Sequence, residues 1–204
     1  MNLRPTLLPT DTTTHLLYLH GFRSSPGSMK AVKMAERVQR EHPGVVWWCP
    51  QLPPSPAAAM ALIRQGTADW PQGRMAVVGS SLGGFYATRL ALDTGCRAVL
   101  LNPAVAPARD LAKYIGEQTA WHNPEERFFF QPEFVEELRN LAGGALSHPE
   151  RVLAVIAKGD EVLDWREMVD RYLGCRLKLL EGSDHALSDF DDHLDEVMGH
   201  LRLA

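Results

Sequence analysis

The sequence is poor in cysteine. It has three, Cys49, Cys96 and Cys175, widely separated and with no CxxC pair. A disulfide framework and a structural zinc site of the usual spacing are therefore not expected, and the reading is a protein of the reducing cytoplasm. No stretch approaches 18 consecutive apolar residues, so no membrane span is predicted. The opening MNLRPTLLPTDTTT has one Arg and no apolar run of signal-peptide length, so no secretion signal is expected. There is no basic run either. Lys and Arg total 21 against 25 Asp and Glu, a formal net charge of -4. That balance gives no electrostatic footprint for nucleic acid or an anionic membrane. A Walker pattern is absent, and GSSLGG lacks the GxGxxG spacing, so no nucleotide or organic cofactor is implied. Asp191-Asp192-His193 has metal-ligand residue types, but Asp192 and His193 are neighbours on a predicted helix and diverge. No metal is expected.

What the chain has is ordinary globular chemistry. Apolar residues make up 45% and charged residues 23% of 204, which excludes a disordered chain, a collagen-like repeat and a coiled coil. One domain of this size buries roughly 70% of the surface that its unfolded chain exposes, so it needs no covalent staple. Six short runs are apolar at consecutive positions: His15–Leu19, Val45–Cys49, Met75–Gly79, Arg97–Leu101, Val152–Lys158 and Arg176–Leu180. Strands buried on both faces of a parallel sheet read this way.

Helical signals lie between the runs. Ser25-Pro26 predicts a helix running to about Glu41, and Ser55-Pro56 predicts one over Ala57–Gln65. A third starts at Leu82 or Gly83 and ends near Gly95. A last helix follows Ser188, with Asp191 completing a short capping box. The expected fold is α/β: a six-stranded, mostly parallel sheet flanked by helices, with the strands in spatial order 2-1-3-4-5-6. The stretch before His15 is too short for a preceding hairpin. Residues 103–150 are too long for a loop with one helix, and RDLAKYIG and PEFVEELRNLAGG both have helical spacing. They are read as a helical cap inserted in a single domain of residues 1–204, with two ordinary surface helices as the alternative.

Gly79-Ser80-Ser81-Leu82-Gly83 matches G-x-S-x-G between a predicted strand and a predicted helix. In that setting a serine is held on a strained turn above the sheet. A glycine-rich phosphate loop of a flavodoxin-like module is the competing reading. A serine nucleophile needs a base, and the base needs an orienting acid. Asp160 follows the fifth predicted strand and His185 the sixth, in the expected chain order. Asp164 and Glu161 compete with Asp160, and Asp164 is also placed to cap the next helix. The histidines His15, His42, His122, His148, His193 and His200 read as solvated, and His20 as a buttress of its own loop. An oxyanion needs main-chain donors. Leu82, next to the serine, and Phe22, in the His20-Gly21 turn after the first strand, are the candidates. Trp121, Phe128, Phe129 and Phe130 fit either an acyl pocket or a small core of their own.

The blocks YLHGFRSSPGSMK, GSSLGGFYAT, LNPAV, KGDEVLD and EGSDHALSDF span almost the whole chain. In these blocks the chain resembles the YqiA-type family of small bacterial esterases, within the α/β-hydrolases. The resemblance implies Ser81, Asp160 and His185 as a triad and Phe22 and Leu82 as oxyanion donors. It implies hydrolysis of carboxylic esters, expected to be of short to medium acyl chains, with acyl thioesters as a second substrate class. The same triad also serves peptidases, and a non-catalytic binding module can keep the fold.

Overall fold

The computed structural model describes residues 12–123 and 125–204. The expectations about a signal peptide and a preceding hairpin fall mainly on residues 1–11, outside the described residues. In chain order the elements are β1 (His15–Leu19), α1 (Met29–Glu41), β2 (Val46–Trp48), α2 (Pro56–Thr67) and β3 (Met75–Ser80). Then come α3 (Leu82–Thr94), β4 (Arg97–Leu101), α4 (Pro107–Leu111), β5 (Gly116–Thr119) and β6 (Arg127–Phe130). The chain closes with α5 (Pro132–Leu141), β7 (Val152–Ala157), α6 (Trp165–Arg171), β8 (Arg176–Leu180) and α7 (Asp191–Leu201).

Six strands form one sheet in the order β2-β1-β3-β4-β7-β8, as predicted. Every neighbouring pair is parallel. β3 and β7 are buried along their whole length, as their unbroken apolar runs require. Successive side chains point to opposite faces. Leu17, Leu19, Val77, Leu100 and Ile156 therefore join one core with residues of α2, α3 and α5. Leu16, Tyr18, Val78, Val99 and Val155 join the other with α1 and α7. Each fully buried Leu, Ile or Val contributes roughly 1.5–3 kcal/mol. Among the described residues no helix is long and apolar enough to cross a membrane.

Several local expectations are corrected. Ser25-Pro26 does not start α1. Ser25 Oγ accepts from Gly27 N–H at 3.2 Å and its carbonyl from Ser28 N–H at 3.0 Å, forming a turn ahead of the helix. A Ser-Pro pair suits such a turn as well as a helix start. Ser55 does cap α2, accepting from Ala58 N–H at 3.1 Å, though the helix runs on to Thr67. Ser188 does not cap α7: its amide and hydroxyl both bond to Asp184, at 2.9 and 2.6 Å. His200 is buried and donates from Nε2 to the Arg151 carbonyl at 2.9 Å. The two helices expected in residues 103–150 are present as α4 and α5. Between them the chain adds an antiparallel pair, β5 and β6, within the stretch that contains Phe128–Phe130. Three consecutive phenylalanines alternate faces as a strand, which leaves Phe130 buried and Phe129 exposed.

α3 lies at backbone contact with the strands. A Cβ on Gly83 would sit 2.0 Å from the Leu19 carbonyl oxygen, and one on Gly79 would sit 2.2 Å from the Gly83 carbonyl oxygen. Gly83→Ala is expected to cost more than about 2 kcal/mol. Gly199→Ala, on a face of α7 with nothing within 4 Å of a new Cβ, is expected to gain about 0.5–1 kcal/mol. Urea unfolding of both variants reads the two signs.

α1 buries a charge. Lys30 turns inward beside Ala31, Met34 and Val38 and donates to the Ala186 carbonyl. Burial pushes its ammonium down to about 8 from 10.5. Below pH 8 the folded and unfolded chains both hold this proton, and the desolvation penalty is fully present. As pH rises from 8 towards 10.5 the folded chain releases its proton first, and the penalty is relieved. Wild type should therefore gain up to about 3 kcal/mol relative to Lys30→Met across that window. A pH-independent difference in unfolding free energy would show the ammonium to be hydrated.

Candidate active site

Ser81 follows β3 directly, with φ 55° and ψ −118°. A residue with a Cβ is rarely held there, at a cost of order 1–3 kcal/mol. Neighbouring backbone keeps it in place. Ser81 N–H donates to the Leu101 carbonyl at 3.0 Å, and its own carbonyl accepts from Gly84 N–H at 2.9 Å and Ala104 N–H at 3.0 Å. Gly21, in the loop after β1, lets that loop approach the serine: a Cβ there would lie 3.2 Å from Ser81 Cβ.

His185 lies between β8 and α7. Its Nδ1 donates to Asp160 Oδ2 at 2.7 Å, which leaves Nε2 to accept from Ser81 Oγ at 3.0 Å. The Asp160 side chain is fully buried. Its second oxygen accepts from Val162 N–H and Leu163 N–H, both at 2.8 Å. The structure thus brings Ser81, His185 and Asp160 into one unbroken chain of hydrogen bonds. Asp164 stays outside it and caps α6 through Arg166 N–H at 2.9 Å. Glu161 accepts from the His185 amide at 3.0 Å. Hydrogen bonds from Ser188 hold the Asp184 carboxyl below the usual range.

Two residues that motif reasoning assigned no role hold the histidine loop. Asn102, fully buried at the end of β4, donates from Nδ2 to the carbonyls of Asp184 (3.0 Å) and His185 (3.2 Å). Its Oδ1 accepts from Ala157 N–H at 2.8 Å. Lys30 supplies the contact to the Ala186 carbonyl. The one local signal for Asn102 is its position before Pro103 at a strand end, where its φ of 42° suits asparagine.

The loop after β1 is fixed from both sides. His20 Nδ1 donates to the Gly21 carbonyl at 3.0 Å, and its Nε2 accepts from Leu52 N–H at 3.1 Å. Burial lowers its pKa, which keeps the ring neutral. The Phe22 ring packs on Phe130, Tyr114 and Phe128, with centroids 5.3, 5.6 and 5.9 Å away. Arg23 Nε donates to the Thr119 carbonyl at 2.6 Å, and the Arg23 carbonyl accepts from Trp121 N–H at 2.8 Å.

A cavity of about 420 Å³ is lined by Ser81, His185, Phe22, Leu82 and Trp121, among others. A second, of about 220 Å³, lies across the 21–24 loop and includes Phe128 in its wall. The aromatics of residues 121–130 therefore divide: Trp121 and Phe128 line cavities, whereas Phe130 sits in the core with Val135 and Leu138. Leu82 opens α3, so its N–H has no intrahelical acceptor. Burial pushes Cys49 up to about 12 and Cys96 up to about 11, so neither is a thiolate at neutral pH. Among the described residues no group of His, Cys, Asp or Glu is placed to hold a metal. Asp191 pairs with Lys33, and His193 with Asp189.

Comparison with known proteins follows this geometry. Residues 15–201 match the family described as Uncharacterised protein family (UPF0227). A UPF0227 protein of Serratia proteamaculans is 26% identical over 190 residues, covering 89% of this chain and 96% of that one. One from Yersinia enterocolitica is 22% identical over 184 residues, covering the same shares. Among solved structures, a hydrolase described as putative from Agrobacterium vitis superposes with a TM-score of 0.74 at 18% identity, over 93% of this chain and 90% of that one. A structure titled for LipS and LipT, two metagenome-derived lipolytic enzymes, gives 0.66 at 18% identity, over 97% and 99%. Est1E from Butyrivibrio proteoclasticus gives 0.63 at 18% identity, over 94% and 86%. The fold is that of the α/β-hydrolases, and the chain belongs to the UPF0227 family, the YqiA-type group that its sequence blocks resemble.

Proposed function

We propose that this protein is a serine hydrolase that cleaves carboxylic esters of small molecules through an acyl-enzyme. The observation that carries the reading is the chain from Ser81 Oγ through His185 to the buried Asp160 carboxylate, at 3.0 and 2.7 Å. As Ser81 Oγ attacks the ester carbonyl, its proton passes to His185 Nε2. Asp160 holds the ring in the tautomer that can accept that proton and stabilises the imidazolium. The main-chain N–H groups of Phe22 and Leu82 receive the developing oxyanion; one such donor is typically worth ~10²–10³ in turnover. His185 then gives its proton to the departing alcohol. Water attacks the acyl-enzyme by the reverse path and regenerates Ser81. An acyl thioester would react in the same way, with a thiol leaving. Residues 103–150 act as a cap, placing Trp121 in the cavity wall and Phe128 and Phe130 against Phe22. The lipolytic enzymes and Est1E among the similar folds support a hydrolase of this class.

The reading is tested by intact mass after treatment with a fluorophosphonate. One adduct is expected on wild type and none on Ser81→Ala; an unlabelled, folded wild type would overturn it. On a 4-nitrophenyl ester, Ser81→Ala and Asp160→Asn should each lower kcat by about 10⁴-fold or more. Asp164→Ala should leave kcat within about threefold and lower stability by about 1 kcal/mol, the worth of a helix cap. Equal losses of kcat for Asp160→Asn and Asp164→Ala would remove Asp160 from its role.

A further inference from the structure

We propose that Arg23 is an anion-binding fork in the wall of this cavity, and that the preferred ester carries a carboxylate. The proposal rests on the hydrolase reading and adds the substrate class. Three cations line the cavity, Arg23, Lys30 and Lys113, against one carboxylate, Asp110. Asp110 is paired with Arg109 at 2.8 Å, and Lys30 is engaged by the Ala186 carbonyl. Among the described residues no carboxylate pairs with Arg23 or Lys113. This excess of positive charge belongs to a chain whose net charge is -4, so it is local to the cavity.

Arg23 is also held in one orientation. Its Nε is taken by the Thr119 carbonyl at 2.6 Å, and its guanidinium lies 4.1 Å from the centroid of the Trp121 ring. That leaves the two outer nitrogens without a protein acceptor among the described residues. A stacked guanidinium with this edge free matches a carboxylate bidentately and loses little entropy in doing so. The Arg23 backbone sits at φ 60°, a conformation that costs energy for a residue with a side chain. Lys113, beside Tyr114, adds a second positive charge to the same wall. Leu111, Val162 and Leu163 offer apolar surface to a chain between the ester and the anion.

Two pairs of esters locate the anion. For the acyl side, 4-nitrophenyl hydrogen adipate is compared with 4-nitrophenyl hexanoate. For the alcohol side, 4-carboxyphenyl butyrate is compared with 4-carbamoylphenyl butyrate. Wild type should favour the carboxylate member of one pair by at least tenfold in kcat/KM, and added salt should shrink that preference. The preference should vanish in Arg23→Gln and survive in part in Arg23→Lys, which keeps the charge and loses the fork. Because it is a ratio within each variant, any general disturbance of the 21–24 loop cancels. No preference in either pair, or one that survives Arg23→Gln, would overturn the proposal. Binding supplies a readout independent of turnover. Calorimetry of 4-nitrophenyl hydrogen adipate on Ser81→Ala should give a Kd at least tenfold tighter than on Ser81→Ala with Arg23→Gln, about 1.4 kcal/mol. Should the anion lie on the alcohol side, 4-carboxyphenyl butyrate is the titrant. Equal affinities, or no detectable binding of either, overturn the fork. A retained binding difference in a protein that fluorophosphonate does not label would leave the fork standing and remove the hydrolase.

Discussion

The site depends on one backbone constraint: Ser81 must turn the chain from β3 into α3 within a single residue. Its φ and ψ of 55° and −118° are unfavourable alone and persist because the surroundings over-determine them. The parallel pairing of β3 with β4 brings Leu101 into reach of the Ser81 amide, and residues after β4 return Ala104 to its carbonyl. Glycine at positions 79 and 83 removes the two Cβ atoms that would stop α3 from closing on the strands. The G-x-S-x-G pattern is thus a steric requirement of this crossing, and it leaves the Leu82 amide, the first of α3, without an intrahelical acceptor beside the serine.

The second requirement is a histidine carried on a loop with the precision of a strand. Contacts to main-chain atoms supply it. Asn102 reaches the carbonyls of residues 184 and 185 from β4, Lys30 reaches 186 from α1, and Glu161 receives the amide of His185. Lys30 shows the energetic conflict in this design. Its burial opposes its charge and costs stability at neutral pH, while its ammonium ties α1 to the loop that carries His185. A net loss of stability around a site is acceptable where it fixes the side chain that the proposed mechanism uses as its base.

The sheet was legible because burial on both faces leaves a strong mark: runs such as MAVVGS and VLAVIA fit little else, and their order follows from parallel connections. The hydrogen-bonded grouping of Ser81, Asp160 and His185 was legible because Ser81 and Asp160 closely follow such strands, β3 and β7, and His185 follows the partly exposed edge strand β8 in the chain order that the motif expects. Helix starts were less so. The same Ser-Pro pair forms a turn at Ser25 and a cap at Ser55, since the outcome depends on what each segment packs against. Asn102, Lys30 and Arg23 were not legible as site residues. Their partners lie 82, 156 and 96 residues away in sequence, and no local pattern encodes such a contact. The β5–β6 pair was hidden for a related reason, because four-residue strands leave too short a pattern to separate from helix.

The β5–β6 pair has a consequence for how specificity could change. Phe22 and Arg23 are adjacent, and both are gripped by residues 114–130: Phe22 by rings, Arg23 by the Thr119 carbonyl, the Trp121 amide and the Trp121 ring. In the proposed mechanism the Phe22 amide faces the oxyanion, and in the proposed subsite the Arg23 guanidinium faces the substrate's charge. One main-chain segment then sets both the rate of the chemical step and the choice of substrate. Packed segments of this kind shift as units, because tight interiors transmit displacement to their neighbours. A change in residues 114–130 that re-aimed Arg23 would also move the Phe22 amide, and small misplacements of a donor are costly to turnover. Substrate range in this architecture is therefore freer to change at Leu111, Lys113, Val162 and Leu163, which line the same cavity without touching the 21–24 loop through any hydrogen bond or ring contact found among the described residues.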